Sequence, residues 1–412
     1  MSASVLRKHR RLGFGHSGRI LFTVVFTVAT GIATARQTPA PATATNVVAG
    51  TSSDNSTNIA PSKIFDAEDG WLDVSGFLDE AYGFVPMVMP ITEPAIGYGG
   101  GLGLIFIDRN EPYQGETFRK PNIGGVGGLA TENGTWAVFG AHSGSWLDGD
   151  LETLIGAAYG SINLDFYGIG DGPLNNHPFS YNIKPLGGLF EGRYRLGSSP
   201  IRAGLRYGFG QIDASFDNGT VPAQVRAREL DSTVSGFTPT LTYDTRNNTF
   251  TPTRGVYAQA GVNLNRHAFG SDFNFEIVDL MLLYYIPIAP KLSLGLRTDA
   301  SLSFDDVPFY LRPYINLRGV AAMRYVGEHM AEMELEARWQ FWRRFSLVGF
   351  VGTGVAWNDL DRFDNRQNVV TGGVGFRYEL ARKYGLHMGI DVAFGPDQPA
   401  IYIQFGSAWF RP

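Results

Sequence analysis

Apolar and polar side chains alternate along residues 330–342, MAEMELEARWQFW. These residue types are strong helix formers, but at a helical period of 3.6 the apolar positions would spread around the whole helix. Glu332 and Glu336 would also repel each other one turn apart. At a period of two, the same residues form one apolar face and one charged face. The pattern therefore predicts a long β-strand.

The same alternation recurs along most of the chain. In IRAGLRYGFG, residues 201–210, the apolar side chains alternate with Arg and Gly. Many such runs are longer than the five or six residues usual in soluble sheets, and they reach the length that crosses a bilayer at a tilt. We predict sixteen strands, at 84–91, 95–108, 120–131, 135–147, 152–167, 182–196, 200–214, 235–245, 254–267, 272–288, 292–305, 325–342, 345–358, 368–381, 386–395 and 400–410.

These strands predict an all-β fold, a 16-stranded antiparallel transmembrane β-barrel with an even strand number, as in bacterial barrels. The apolar faces would contact hydrocarbon, and the faces with charged residues and glycine would line a polar lumen. An Arg on the lipid face costs about 2–4 kcal/mol at mid-depth, so a register shift by one residue is strongly disfavoured. A soluble β-sandwich also alternates, but its strands are shorter. Short connections are expected in the periplasm and long ones mostly outside the cell.

The first residues have the composition of an export signal. Arg7, Lys8, Arg10 and Arg11 form a basic region ahead of an apolar run that ends in small residues, as a signal peptidase requires. The alternative is an N-terminal membrane anchor, but the run is short for a spanning helix. We divide the chain into a cleaved signal peptide at 1–35, a Thr/Ala/Ser/Pro-rich disordered linker at 36–65, a short helix at 66–83 and the barrel at 84–410.

Composition narrows the function classes. The chain has 412 residues, no cysteine and a net charge of −5. The absence of cysteine excludes disulfides and thiolate metal sites. The mildly acidic balance, with no basic run beyond the N-terminus, argues against a nucleic-acid partner. We expect no cofactor.

Candidate catalytic and metal-binding residues are weak. Asp359, Asp361 and Asp364 lack the Gly and Glu spacing of a calcium loop. The glycine-rich segment at 97–103 lacks the Lys-Ser/Thr ending of a phosphate loop. A barrel enzyme acting on lipid would need a Ser–His pair, and the candidate histidines are isolated along the chain, at His142, His267, His329 and His387. We expect the protein not to be an enzyme.

Four motifs point to a family. They are FYGIG at 166–170, YDTRNNTFTPTRG at 243–255, LRGV at 317–320 and ELEAR at 334–338. Together they resemble blocks of the BamA/TamA-type outer-membrane assembly and transport superfamily, also called the bacterial surface antigen family. The resemblance covers roughly 84–410 and implies localisation in the bacterial outer membrane.

The resemblance also implies a site. It implies that the loop after strand eleven folds back into the lumen and carries an Arg-Gly tip, here Arg318 and Gly319. It further implies a signature turn between strands eight and nine, formed by Asp244, Arg246, Pro252 and Gly255.

Arg318 needs an anionic partner if it lies inside a barrel. A guanidinium can bind a carboxylate through two hydrogen bonds, which we expect to contribute about 1–2 kcal/mol net in a wet lumen. The family's Asp on strand thirteen is absent, because that strand reads FVGTG. We predict a loop lock formed by Arg318, Gly319, Glu334, Glu336 and Arg338. The alternative is a stripe of hydrated lumen charges without a specific partner.

The two ends of the barrel region carry further information. The C-terminal residues Phe405, Gly406, Trp409 and Phe410 resemble the signal that the assembly machinery recognises in a last strand. Relatives that insert or secrete proteins carry POTRA domains. Residues 36–83 are too few to hold one, so client binding through such a domain is not expected.

Three functional hypotheses remain open. The first is a non-enzymatic barrel that assists insertion or translocation of outer-membrane components, with lipids and nascent outer-membrane proteins or assembly machinery as partners. The second is a passive or loop-gated pore. The third, the least favoured, is a barrel enzyme acting on lipid.

Overall fold

The computed structural model describes residues 64–66, 68–80, 83–108, 122–170, 172, 174, 176–360 and 366–410. The predicted signal peptide and most of the predicted linker lie outside the described residues. Asp361 and Asp364 of the weak calcium candidate also lie outside them.

Sixteen β-strands account for most of the described chain. Their bounds are β1 Gly83–Glu93, β2 Gly97–Asp108, β3 Asn122–Thr131, β4 Trp136–Trp146, β5 Leu151–Phe166, β6 Phe179–Arg195, β7 Ile201–Phe216, β8 Asp231–Asp244, β9 Gly255–Asn265, β10 Phe275–Ala289, β11 Leu292–Asp305, β12 His329–Trp342, β13 Phe345–Trp357, β14 Gln367–Ala381, β15 Leu386–Phe394 and β16 Ala400–Phe405.

Each strand pairs antiparallel with the next in a single sheet, which curls into a nearly closed barrel. The predicted all-β class and the strand number are thus confirmed. β1 and β16 lie side by side, but no ladder joins them among the described strands. At this seam the backbone N–H of Ile403 donates to Thr92 Oγ1 at 3.3 Å. β16 has six residues, whereas β6 has seventeen.

The described part of the chain contains one α-helix, α1, which spans Ser75–Glu80 and is shorter than the helix predicted at 66–83. The residues before it are bent because aspartates accept hydrogen bonds from backbone N–H groups two residues ahead. Asp66 accepts from Glu68, Asp69 from Trp71, and Asp73 from Ser75. Such local bonds compete with helix formation.

Short 3₁₀ helices also occur, at Leu147–Gly149, Asp217–Gly219, Ala227–Glu229, His267–Phe269, Phe309–Leu311 and Arg382–Tyr384. None of the helices in the described part of the chain is long and apolar enough to cross a membrane.

The barrel has two ends and two faces. We call the end with the β12–β13 connection the turn end, and the opposite end, with the β11–β12 connection, the loop end. Along β12, Met333 and Leu335 lie on an exposed face, while Glu332 and Glu334 lie on a buried face. The period-two pattern that predicted this strand therefore separates two environments.

The exposed face changes polarity part-way along β5, β6 and β7. Near the turn end it is apolar, as at Ile155, Phe190 and Leu205. Nearer the loop end the same face is polar. The polar positions are Ser161, Asn163 and Asp165 on β5, Ser180, Asn182 and Lys184 on β6, and Gln211, Asp213 and Ser215 on β7.

Behind this polar half, the buried face is an apolar core. It contains Ile162, Leu164 and Phe166 of β5, Tyr181 and Ile183 of β6, Ile212 and Phe216 of β7, and Phe309 and Tyr310 of the β11–β12 loop. In the half nearer the turn end the buried face is instead charged, with Glu191 paired to Arg206 at 2.7 Å. The predicted arrangement, with apolar side chains on the outer face and polar ones on the inner face, therefore holds only for the half of these strands nearer the turn end.

The last strand is shorter than predicted. β16 ends at Phe405, because Gly406 has a φ of +79° and turns the chain away from the sheet. The following residues form a C-terminal tail in which Trp409 is buried. Trp409 and Phe410 are thus not the end of a strand, although the predicted strand ran to 410.

Candidate functional site

The β11–β12 loop, residues 306–328, packs against the buried face of β11–β16. Arg318 at its tip is 7% exposed. Its Nε and Nη2 atoms donate to Glu334 Oε1 at 3.0 and 2.7 Å, and its Nη1 atom donates to Asp391 Oδ2 at 2.9 Å. Glu336 Oε2 lies 2.8 Å from Nη2. Three carboxylates from β12 and β15 thus surround one guanidinium.

One planar face of the guanidinium also contacts an aromatic ring. Arg318 Cζ lies 3.6 Å from the ring centroid of Phe350 on β13. A cation over an aromatic face is attracted by the ring quadrupole, and more strongly when water is excluded. The edges of the guanidinium bind carboxylates and one face packs on the ring, an arrangement that Lys could not reproduce.

Gly319 fits a position where a side chain would clash. Its φ is +88°, a left-handed conformation that costs most other residues about 1–2 kcal/mol. A Cβ here would lie 3.0 Å from the backbone carbon of Phe394. The Gly319 N–H donates to Tyr402 Oη on β16 at 3.0 Å. The Arg-Gly pair therefore combines a buried cation with a close backbone approach.

A second attachment lies two residues earlier in the loop. The Asn316 N–H donates to Glu332 Oε2 at 2.6 Å, and the Asn316 carbonyl accepts from Arg297 Nη1 at 3.0 Å. Arg297 also pairs with Asp299 and Glu332. Charged residues of β11 and β12 thus hold the backbone of the loop as well as its tip.

The glycines of β13 make room for the loop. A Cβ on Gly352 would lie 3.1 Å from Leu317, and one on Gly354 would lie 2.7 Å from Ile315. Gly352 occupies the position where the family pattern has Asp. Here Leu317 packs over that glycine, and Asp391 on β15 provides the carboxylate instead.

The C-terminal tail joins the same network. Trp409 Nε1 donates to Glu334 Oε1 at 2.6 Å, and the Trp409 ring lies 6.0 Å from that of Tyr285. A Cβ on Gly295 of β11 would meet the Trp409 ring at 2.6 Å, so this glycine provides space for the indole. Glu334 thereby links the loop to the tail.

The predicted signature turn between β8 and β9 is brought together around an ion pair. Arg246 donates through Nε and Nη2 to the two oxygens of Asp244 at 3.0 and 2.8 Å. Gly255 has a φ of +104°, and a Cβ there would lie 2.3 Å from the Thr245 carbonyl oxygen. Pro252 is buried in the same turn.

This turn also contacts the C-terminal tail. Phe410 stacks on Phe250 at 5.9 Å, and the Ser407 N–H donates to the Phe250 carbonyl at 2.6 Å. Of the four residues of the predicted C-terminal signal, Phe405 and Gly406 lie at the strand end, and Trp409 and Phe410 lie in the tail.

Four of the five residues of the predicted loop lock meet at Arg318. Glu334 accepts the hydrogen bonds and Glu336 lies at ion-pair distance, whereas Arg338 is not among the partners of Arg318 in the described part of the chain. Sequence analysis missed Asp391 and Tyr402, and it named Trp409 only as part of the C-terminal signal, not as a partner of Glu334. The signal available for Asp391 was that it is the lone acid of β15 and lies at a buried-face position.

A family model for the Omp85 superfamily domain matches residues 175–399, more than half of the chain. The chain belongs to the Omp85 superfamily. The matched region contains Arg318, Glu334, Asp391 and the signature turn, so the predicted family resemblance is confirmed. No curated protein sequence matches this Omp85 chain.

Solved structures share its fold. The chain is similar to BamA from Haemophilus ducreyi lacking POTRA domains 1–3, at 14% identity and a TM-score of 0.51, covering 78% of this chain and 68% of that one. CdiB from Acinetobacter baumannii matches at 10% identity and 0.52, covering 80% and 66%. CdiB from Escherichia coli matches at 10% and 0.53, covering 78% and 61%. The chain thus spans about two thirds of the length of these structures.

Proposed function

We propose that this Omp85 barrel lies in the bacterial outer membrane and assists insertion or translocation of outer-membrane components through its β1–β16 seam. The observation that carries the proposal is the strand order, which runs from β1 to β16 without a closing ladder among the described strands. Unpaired strand edges bind incoming strands by adding them to the sheet. The role proposed is non-enzymatic.

The exposed face supports a membrane location. Its apolar side chains, such as Val88, Val374 and Phe190, would contact hydrocarbon, and the charged part of the buried face would line a polar lumen. The polar halves of β5–β7 would then stand above the bilayer at the loop end. In this orientation the turn end faces the periplasm, and the β11–β12 loop folds back into the lumen.

The test places a photocrosslinking residue at Val88 of β1, at Ile401 of β16 or at Val374 of β14, all on the exposed face. Cells are irradiated during synthesis of outer-membrane proteins. We expect nascent barrel proteins to be captured at the two seam positions and not at Val374. Equal capture at all three positions, or none at any, would overturn the insertion role.

A second candidate function is a loop-gated pore, which the network around Arg318 favours. A loop held by three carboxylates would obstruct the lumen and control conductance. This candidate predicts steady channels in a planar bilayer together with no capture of nascent proteins at the seam.

A further inference from the structure

Residues 64–66 and 68–80, here called the strap, bind to the turn end of the barrel through a buried arginine. Arg344, in the β12–β13 connection, is fully buried. Its Nη2 atom lies 2.6 Å from Asp66, its Nε atom 2.8 Å from Asp69, and its Nη1 atom 2.7 Å from Asp73. Three carboxylates of the strap thus use all three donor nitrogens of one guanidinium.

Contacts with β14 and its following turn extend this attachment. Tyr378 Oη donates to the Leu72 carbonyl at 2.6 Å, and the Val74 N–H donates to the Leu380 carbonyl at 2.9 Å. Arg382 donates to Asp69 at 2.6 Å. The strap is therefore bound along two strand connections.

An aromatic contact fixes the outer side of the strap. The Trp71 ring meets Trp342 edge-on at 5.5 Å and Phe345 at 5.3 Å. Edge-to-face pairs at such distances contribute beyond the area that they bury. The strap thus binds the turn end through ion pairs with Arg344 and, beside them, through the aromatic contacts of Trp71.

The position of the strap relative to the seam suggests its role. After α1 the chain leads to β1, which begins at Gly83. In the barrel, β15 and β16 lie between β14 and β1, and the seam lies between β16 and β1. The strap therefore connects β1 to β12–β14 by a route independent of the strand ladder.

We propose that the strap restrains the seam, holding β1 beside β16 until its contacts with Arg344 are broken. The inference rests on the proposed function, in which β1 and β16 separate to admit a client. Because no ladder joins these two strands among the described residues, the attachment at Arg344 limits how far β1 can move.

The experiment uses spin labels, which is convenient because the native chain has no cysteine. Val88→Cys and Ile401→Cys report the width of the seam, and a single label at Phe77→Cys reports whether α1 is bound. The full chain in liposomes is compared with Arg344→Gln and with Arg343→Gln, a neighbouring exposed arginine. Arg344→Gln removes the one cation that contacts all three aspartates, while Arg382 still pairs with Asp66 and Asp69.

We expect Arg344→Gln to mobilise the label at 77 and to lengthen or broaden the seam distance by about 5 Å, one strand spacing. Arg343→Gln should leave both signals unchanged. Should Arg344→Gln fail to fold, the milder double variant Asp66→Asn with Asp73→Asn is measured in the same way, and the same changes are expected.

A mobile label at 77 with an unchanged seam distance would overturn the strap inference. So would a label at 77 that stays immobile in both the arginine and the aspartate variants. Capture of clients at Val88 is measured separately in the unsubstituted chain. Its absence would overturn the proposed insertion role without bearing on whether the strap controls the distance between β1 and β16.

Discussion

Arg318 lies where carboxylates from two strands converge. Asp391 also pairs with Arg377, whereas Arg318 is the cation that binds Glu334. Glu334 and Asp391 are both fully buried, and Glu334 also accepts from Trp409. Removing one partner of a buried ion pair leaves an uncompensated charge, which is more costly than the pair itself is stabilising. At the scale of single residues, loss of Arg318 would leave the buried carboxylate of Glu334 without its cation.

Arg318→Ala should therefore destabilise the docked loop by about 3–5 kcal/mol, the usual effect of breaking a buried pair. We expect a lower midpoint of heat unfolding in detergent and a higher open probability in planar bilayers. Arg318→Lys should be intermediate, because an ammonium keeps the charge but cannot bind three carboxylates in fixed directions. An Ala variant with unchanged conductance and unfolding midpoint would show that Arg318 does not hold the loop.

Gly319→Ala tests the backbone of the same tip. The left-handed φ alone should cost about 1–2 kcal/mol, and the new Cβ would also press on the backbone of Phe394. Gly349→Ala is the matched control, because a Cβ there meets nothing within 4 Å. Heat unfolding of both variants should separate them, and equal midpoints would contradict the packing described for Gly319.

At the scale of elements, the exposed face of β7 has two halves of different polarity. Leu205 lies in the apolar half and Gln211 in the polar half, on the same side of the same strand. Under the proposed membrane location, the boundary between the halves is the level at which the strand leaves the hydrocarbon.

Leu205→Arg should therefore cost up to about 2–4 kcal/mol, the value for a charge on the lipid face near mid-depth, whereas Gln211→Arg should be nearly neutral. Refolding into vesicles, followed by heat-modifiable migration on gels, measures both. If the two arginine variants insert equally well, the boundary assigned here is wrong.

Strand pattern was the part of the fold that the sequence predicted best. β12 was recognised because an alternation over thirteen residues distinguishes strand from helix whatever the composition. β16 was predicted too long because Phe405 and Trp409 continue the apolar alternation. The pattern of apolar and polar residues does not reveal the turn that the chain makes at Gly406. The helix was predicted too long because Asp66, Asp69 and Asp73 accept hydrogen bonds from nearby backbone N–H groups. These hydrogen bonds compete with helix formation.

The site was predicted only in part, for a related reason. Arg318, Glu334 and Glu336 belong to nearby motifs, but Asp391 lies 73 residues from Arg318 in the chain. Its proximity is set by closure of the barrel, which brings β15 next to the loop. Spacing along a sequence carries no information about such contacts.

At the scale of the whole molecule, the two ends of the described chain bind to different parts of the barrel. The strap holds the turn end from outside the sheet, and the C-terminal tail enters the buried side. Hydrogen bonding from Arg344 lowers the pKa of Asp69 in the strap to about 2.

Strap binding should consequently be insensitive to mild acid. The folded pKa of Asp69 lies below its ordinary value of 3.8, so its contribution is fully present above pH 4 and is lost as the pH falls through about 2. The mobility of a label at Phe77→Cys should stay constant from pH 8 to 4. Release of the label between pH 7 and 5 would contradict this assignment.

The six residues of β16 have a consequence for any guest strand. A partner strand that adds to so short an edge gains few main-chain hydrogen bonds, so its binding is weak and reversible. An edge as long as the seventeen residues of β6 would form many more main-chain hydrogen bonds with a guest strand. A guest strand that pairs with β16 should therefore dissociate readily from the barrel.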